Sequence, residues 1–210
     1  MSEMPKDNQT GACGSVSVDC SKRQLLVATS VVGGVGVALT AVPFLSTFAP
    51  SERAKAAGAP VEVDISTIKA GEMGTVEWRG KPVWILRRTP EMVDSLNKTE
   101  PFVADPNSDR KPGELTPKYC KNQHRSIKPE LLVAVGICSH LGCSPTSKFQ
   151  PGPQSSLPDD WAGGFLCPCH GSTFDLAGRV YKNKPAPDNL EVPPHRFLSD
   201  TKLVIGEETA

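Results

Sequence analysis

The run from Leu25 to Phe48, LLVATSVVGGVGVALTAVPFLSTF, holds 24 residues and no charge. In hydrocarbon every backbone N–H and C=O must be satisfied within the segment, so a run of this kind that enters a bilayer is a helix. About 20 helical residues cross a core of roughly 30 Å, and the run is long enough to do so. A cleaved export signal is the rival reading, but its apolar stretch spans only about 7–15 residues. The glycines and Pro43 do not oppose a retained span, because membrane helices tolerate both. The sequence therefore predicts one transmembrane helix over residues 24–48, with the lipid bilayer as a partner.

Lys22 and Arg23 precede the span in SKRQLL. They read either as basic residues that keep the N-terminus inside or as a loose variant of a twin-arginine export signal, with lysine in the first arginine's place. Both readings leave residues 1–23 in the cytoplasm and put everything beyond the span outside. The export reading adds that the outer domain crosses already folded, which suits one that must first acquire a cofactor. Residues 49–60, APSERAKAAGAP, are small and polar and are expected to form a flexible tether, either as a linker or as a short helix that melts easily. Residues 61–210 are left for one outer domain, of ordinary size.

Lysine plus arginine equals aspartate plus glutamate, 23 each, so no net field favours nucleic acid. Beyond Pro60 the apolar segments are short: VEVDI, GTVEW, KPVWILRR, LLVAVGI, GFLC, RVY, LEV and LVIG. β-Branched and aromatic residues dominate them and glycine or proline separates them, which predicts a mainly β fold, a small antiparallel β domain. One helix is expected at EMVDSLN, with Thr89 as its N-cap and Pro90 in its first turn. Asn97 to Ile127 is charged and proline-rich and reads as irregular.

Two stretches carry the chemistry. In CSHLGC, Cys138 and His140 stand two apart with Cys143 following; in CPCHGS, Cys167 and His170 stand three apart with Cys169 between them. Thiolate and imidazole together suit zinc or iron and poorly suit calcium or magnesium. Six candidates exceed what one tetrahedral zinc takes, so two of the six have another task.

The pair C-x-H-x-G-C and C-P-C-H-G-S resembles the paired motif of the Rieske iron–sulfur proteins, and the likeness extends from about Lys22 to Gly206. The resemblance implies one Rieske-type [2Fe-2S] cluster, with Cys138 and Cys167 on the inner iron and His140 and His170 on the outer. It also implies a disulfide between Cys143 and Cys169, which persists only in an oxidising compartment and so agrees with an outer domain. The cluster-binding part is expected over residues 136–187, with Leu141, Gly142, Pro168, Gly171, Ser172 and Phe174 around the ligands. Pro185, Ala186 and Pro187, in KPAPDNLEVPP, resemble the loop that covers the cluster, with Lys184 where glycine is common. The Ser172 hydroxyl is placed to donate to a cluster sulfur and raise the potential. Phe174 stands where many respiratory members carry tyrosine, which removes one donor and predicts a lower potential than in those relatives.

Two thiolates and two neutral imidazoles leave a diferric core formally uncharged, whereas four thiolates would leave it dianionic. An electron is accepted more easily at an uncharged site. Rieske centres in general reach roughly −150 to +300 mV against about −400 mV for plant-type all-cysteine centres, a property of the ligation type and not one derived from these residues. A metal-bound imidazole keeps a proton on its other nitrogen, so His170, and less strongly His140, is expected to hydrogen-bond a quinol and couple proton to electron transfer.

The resemblance implies the iron–sulfur subunit of a bacterial quinol–cytochrome c oxidoreductase, the cytochrome bc1 complex. That reading brings cytochrome b and cytochrome c1 as partners, quinol as substrate, a dimeric complex and no nucleic acid. The expected location is the cytoplasmic membrane of a bacterium, single-pass, N-terminus inside and cluster domain in the periplasm. The alternatives are a Rieske subunit of another exported oxidoreductase, a carrier ferredoxin feeding an oxygenase, and a zinc-binding interaction module. The span and the extra cysteine pair weigh against the ferredoxin, and zinc leaves Cys143 and Cys169 idle. His124 and His195 read as ordinary polar positions, Cys13 and Cys20 as plain thiols, Cys120 as buried, and Ser144 to Gly163 as a solvated loop.

Overall fold

A computed structural model of the chain describes residues 19–49, 51, 58–111 and 113–208. Residues 1–18, with Cys13, and most of the expected tether lie outside the described residues. The chain divides into two units, one ending at Glu52 and the other running from Arg53.

Among its described residues the first unit carries one helix, α1 (Cys20–Ser46). It begins ahead of the apolar run because Asp19, Lys22 and Arg23 supply one polar turn, in which Lys22 pairs with Asp19 at 3.3 Å. Its 27 residues make about 40 Å of helix. Thr29 and Thr40 return their hydroxyls to the carbonyls of Leu25 and Gly36, so these polar groups are satisfied within the helix.

Among the described residues, the second unit is built from nine short strands, one α-helix and two 3-10 turns. The strands are β1 (Val61–Asp64), β2 (Met73–Trp78), β3 (Lys81–Arg87), β4 (Leu131–Val135), β5 (Thr146–Lys148), β6 (Gly164–Cys167), β7 (Ser172–Phe174), β8 (His195–Phe197) and β9 (Lys202–Ile205). They form three antiparallel sheets of three, in the orders β1-β9-β8, β2-β3-β4 and β5-β6-β7. The middle sheet explains the rest. Side chains alternate faces along a strand, and in β3 and β4 both sets are apolar, so both faces are buried. Val83, Ile85, Leu131, Val133 and Val135 pack with Leu203 and Ile205 of the terminal sheet. Trp84, Leu86, Leu132 and Ala134 pack on the opposite side with Phe165, Phe174, Cys138 and Cys167. The sheet of β5, β6 and β7, which carries the two motifs, is thus set on a rigid floor.

Helix α2 (Pro90–Thr99) forms as its signals dictate: Thr89 accepts from the Met92 N–H, and Pro90 occupies the first turn. Three expectations are corrected. RVY makes only isolated bridges, Val180 to Phe174 and Tyr181 to Val103, because the Val180 N–H is taken by the Asn189 side chain. LEV pairs with no single neighbour, since Leu190, Glu191 and Val192 bond to Gly178, Val135 and Leu115 in turn. Ser144 to Gly163 is not simply solvated. It contains β5 and is folded back by Trp161, which is buried against Tyr181 and donates Nε1 to the Lys148 carbonyl. The segment from Asn97 to Ile127 is irregular apart from the end of α2 and the turns Glu100–Phe102 and Lys118–Cys120.

Candidate metal centre

Both motifs sit in loops that leave the end of the β5-β6-β7 sheet, and the two loops share one local geometry. In the first, the Gly142 N–H donates to the Cys138 carbonyl at 3.1 Å; in the second, the Gly171 N–H donates to the Cys167 carbonyl at 3.0 Å. Each glycine stands four residues after its cysteine at φ +79° or +73°, the left-handed conformation that a side chain at this turn would strain. The first loop is closed again by the Cys138 N–H on the Cys143 carbonyl at 2.8 Å.

The fold brings all six candidates together. Cys138 and Cys167 point into the core, each 2% exposed. His140 is half-buried and His170 exposed, with ring centroids 4.7 Å apart and planes at 86°. Cys143 and Cys169 are joined as a disulfide across the two loops. The Cys167 sulfur lies beside that bridge, the three sulfurs falling within 4.8 Å of one another. Two of those three are already bonded to each other, so the trio is a packing contact and not a ligand set.

Burial, and then the adjacent Cys167 thiol, push the Cys138 thiol up, while the His140 backbone N–H and the Ser172 hydroxyl favour its thiolate. Two thiols forced side by side in an apolar core ionise together only where a cationic centre sits between them. The donor set, two soft thiols inward and two imidazoles outward, fits a two-iron centre with one sulfur-ligated and one imidazole-ligated metal.

Ser172 is fully buried and also accepts the Ala186 N–H at 3.0 Å, so it joins the second loop to the covering segment. Phe174 is fully buried in the same core as both free thiols. Leu141 is 71% exposed, and Gly142, Pro168 and Gly171 surround the histidines at the surface. Of the covering segment, Ala186 is buried while Pro185 and Pro187 face outward. Cys120 is buried, its thiol pushed up by burial to about 12. Cys20 is exposed at the start of α1.

Sequence reasoning missed the residues that hold the covering segment. Ser139 donates to the Asp188 carbonyl at 2.6 Å and accepts the Asp188 N–H at 3.3 Å. Lys111 pairs with the Asp188 carboxylate at 2.7 Å, and Arg110 donates to the Pro187 carbonyl. No pattern announces them, because each is a common polar residue whose partner lies 49 to 77 positions away.

Comparison with known proteins gives the following. The Rieske [2Fe-2S] domain model matches residues 60–194. A ubiquinol-cytochrome c reductase iron-sulfur subunit of Allochromatium vinosum is 56% identical over 187 residues, covering 89% of this chain and 88% of that protein. A subunit of the same description from Blastochloris viridis is 40% identical over 201 residues, covering 93% and 98%. Among solved structures, a chain of a hyperthermophilic respiratory complex III aligns at 26% identity with a TM-score of 0.42, covering 84% of this chain and 97% of that one.

Proposed function

The chain belongs to the Rieske [2Fe-2S] family, and from that premise we infer that it works as the electron-transfer subunit of a bacterial quinol–cytochrome c oxidoreductase. It partners cytochrome b and cytochrome c1 in that complex. The observation that carries the reading is the polarity of the site: two thiols buried at 2% exposure, capped by a half-buried and an exposed imidazole. A Rieske-type [2Fe-2S] cluster, when bound, supplies one-electron redox chemistry well above the range of all-cysteine centres. Cys138 and Cys167 hold its inner iron, and His140 and His170 its outer iron. The disulfide keeps the two loops in register around them.

His170, exposed beside Leu141, would accept a hydrogen bond from a quinol hydroxyl at its outer ring nitrogen and take the proton there once that nitrogen has lost its own proton, whose pKa an oxidised iron lowers. His140 serves as the second outer imidazole. Leu141 supplies an apolar contact for the quinol ring. The covering segment, Pro185 to Pro187, keeps water from the thiolate side.

The chain is single-pass through α1, with residues 1–23 cytoplasmic and the domain of residues 61–210 periplasmic. Lys22 and Arg23 beside the span and the Cys143–Cys169 disulfide both support that orientation. Residues 49–60 act as a tether that lets the head alternate between a quinol site on cytochrome b and the haem of cytochrome c1, within a dimeric complex. The test is His170→Gln in membranes that hold the assembled complex. Quinol-dependent cytochrome c reduction is expected to vanish while the chain stays in the membrane through a salt wash. Full turnover in the variant would contradict the role given to His170, and release by salt alone would contradict the span.

A further inference from the structure

Arg125 is fully buried, and its five N–H groups meet five acceptors. Nε donates to Ser108 Oγ at 2.8 Å; one terminal nitrogen donates to the Ala177 and Gly178 carbonyls at 3.0 and 3.2 Å; the other donates to Thr116 Oγ1 and the Leu190 carbonyl, each at 2.7 Å. Every one of these acceptors is neutral. Arg88, 2% exposed, is bonded in the same way to the Leu176 and His124 carbonyls and to Ser126 Oγ. Only Arg179, the third buried guanidinium, touches a carboxylate, Asp175, at 2.7 Å. Asp175 and Asp105 act on Arg125 through space without a hydrogen bond to it; Asp105 accepts the Asp109 and Arg110 N–H groups, and Asp188 pairs with Lys111.

Burying a cation among neutral acceptors is unfavourable, and it presses the Arg125 guanidinium down to about 10, still protonated at neutral pH. Its position suggests what offsets that penalty. Ala177 and Gly178 lie on the turn that follows β7, the strand leading back from the second metal loop, and Leu190 lies just past the covering segment. Ala177 and Leu190 pack in the same apolar core as Cys138 and Cys167. A site that becomes more negative on gaining an electron is stabilised by a cation behind it, and more so through a low-dielectric core than through water.

We propose that Arg125 is a positioning residue of the redox centre, clamping the turn behind the second metal loop to the chain just past the covering segment and, by its buried positive charge, making the centre easier to reduce. The inference rests on the family reading above.

Redox titration followed by EPR, on the full chain in its complex, tests it. Arg125→Gln is expected to weaken the hold on the electron about tenfold, a fall of about 59 mV for a one-electron couple. Arg125→Lys, which keeps the charge but not the fork, is expected to stay near the parent value. Ser108→Asp decides the matter should Arg125→Gln fail to fold. Ser108 sits at φ +56°, a conformation aspartate tolerates, and a carboxylate there would face Nε directly. It is expected to lower the potential with the remaining bonds of Arg125 kept. Unchanged potentials in Arg125→Gln and Ser108→Asp at full cluster content would overturn the proposal. So would equal falls in Arg125→Lys and Arg125→Gln with no effect of Ser108→Asp, the signature of a clamp without an electrostatic role. Parent protein lacking a mixed-ligand iron–sulfur signal would remove the family reading and this inference together, and is told apart because it is read on the parent alone.

Discussion

Ser172 makes two contacts that can be measured separately. Its hydroxyl faces the Cys138 sulfur and its oxygen accepts the Ala186 N–H. Ser172→Ala should lower the midpoint potential and leave a buried N–H unmatched, destabilising the head by about 1–3 kcal/mol. Potentiometry and thermal unfolding read the two effects. Phe174→Tyr adds a donor in the core shared with both free thiols and should raise the potential; no change would reject the idea that the missing hydroxyl matters. His195 makes a prediction about acid. Burial holds its imidazole below the ordinary value, and Nε2 has no partner among the described residues. The unfolded chain takes up that proton near pH 6.5 and the folded chain only lower, so stability is lost as pH falls below about 6.5. His195→Gln should flatten that part of the curve, as denaturant melts at about pH 8 and about pH 5 would register. The six motif residues were legible in the sequence because thiol and imidazole at such spacing have few other uses. Arg125 was not: one arginine in a charged, proline-rich stretch looks the same whether solvated or enclosed.

Strands and loops divide in the same way. LLVAV announces a strand because a continuous β-branched and aliphatic run suits two buried faces, and Thr89–Pro90 announces the start of α2 through capping chemistry alone. β5, β7 and β8 are three residues each, too short for any alternation to emerge, and RVY and LEV have strand composition yet lose their pairing to Asn189 and to scattered neighbours. The two metal loops are held to each other by the Cys143–Cys169 bridge. Replacing both cysteines by alanine should cost on the order of 2–4 kcal/mol and speed loss of the metal centre to a chelator, with the strands of the middle sheet still protected from hydrogen exchange. Equal chelator resistance in the variant would show that the loops need no staple.

The described residues comprise an apolar helix and a β domain that carries the redox residues, and residues 49–60 are proposed to tether the two. Two prolines introduced between residues 49 and 60 should leave the EPR spectrum and potential untouched while slowing cytochrome c reduction severalfold or more; full turnover would remove alternation of the head from the account. Everything else depends on ligation by two sulfurs and two imidazoles. Low-temperature continuous-wave and pulsed EPR on the ascorbate-reduced, full-length protein tests that ligation most directly. A half-spin iron–sulfur signal with couplings from two imidazole nitrogens, both lost in His140→Ser or His170→Ser, is the expected result. A silent sample holding one zinc, or an iron–sulfur signal with no nitrogen coupling, would contradict it.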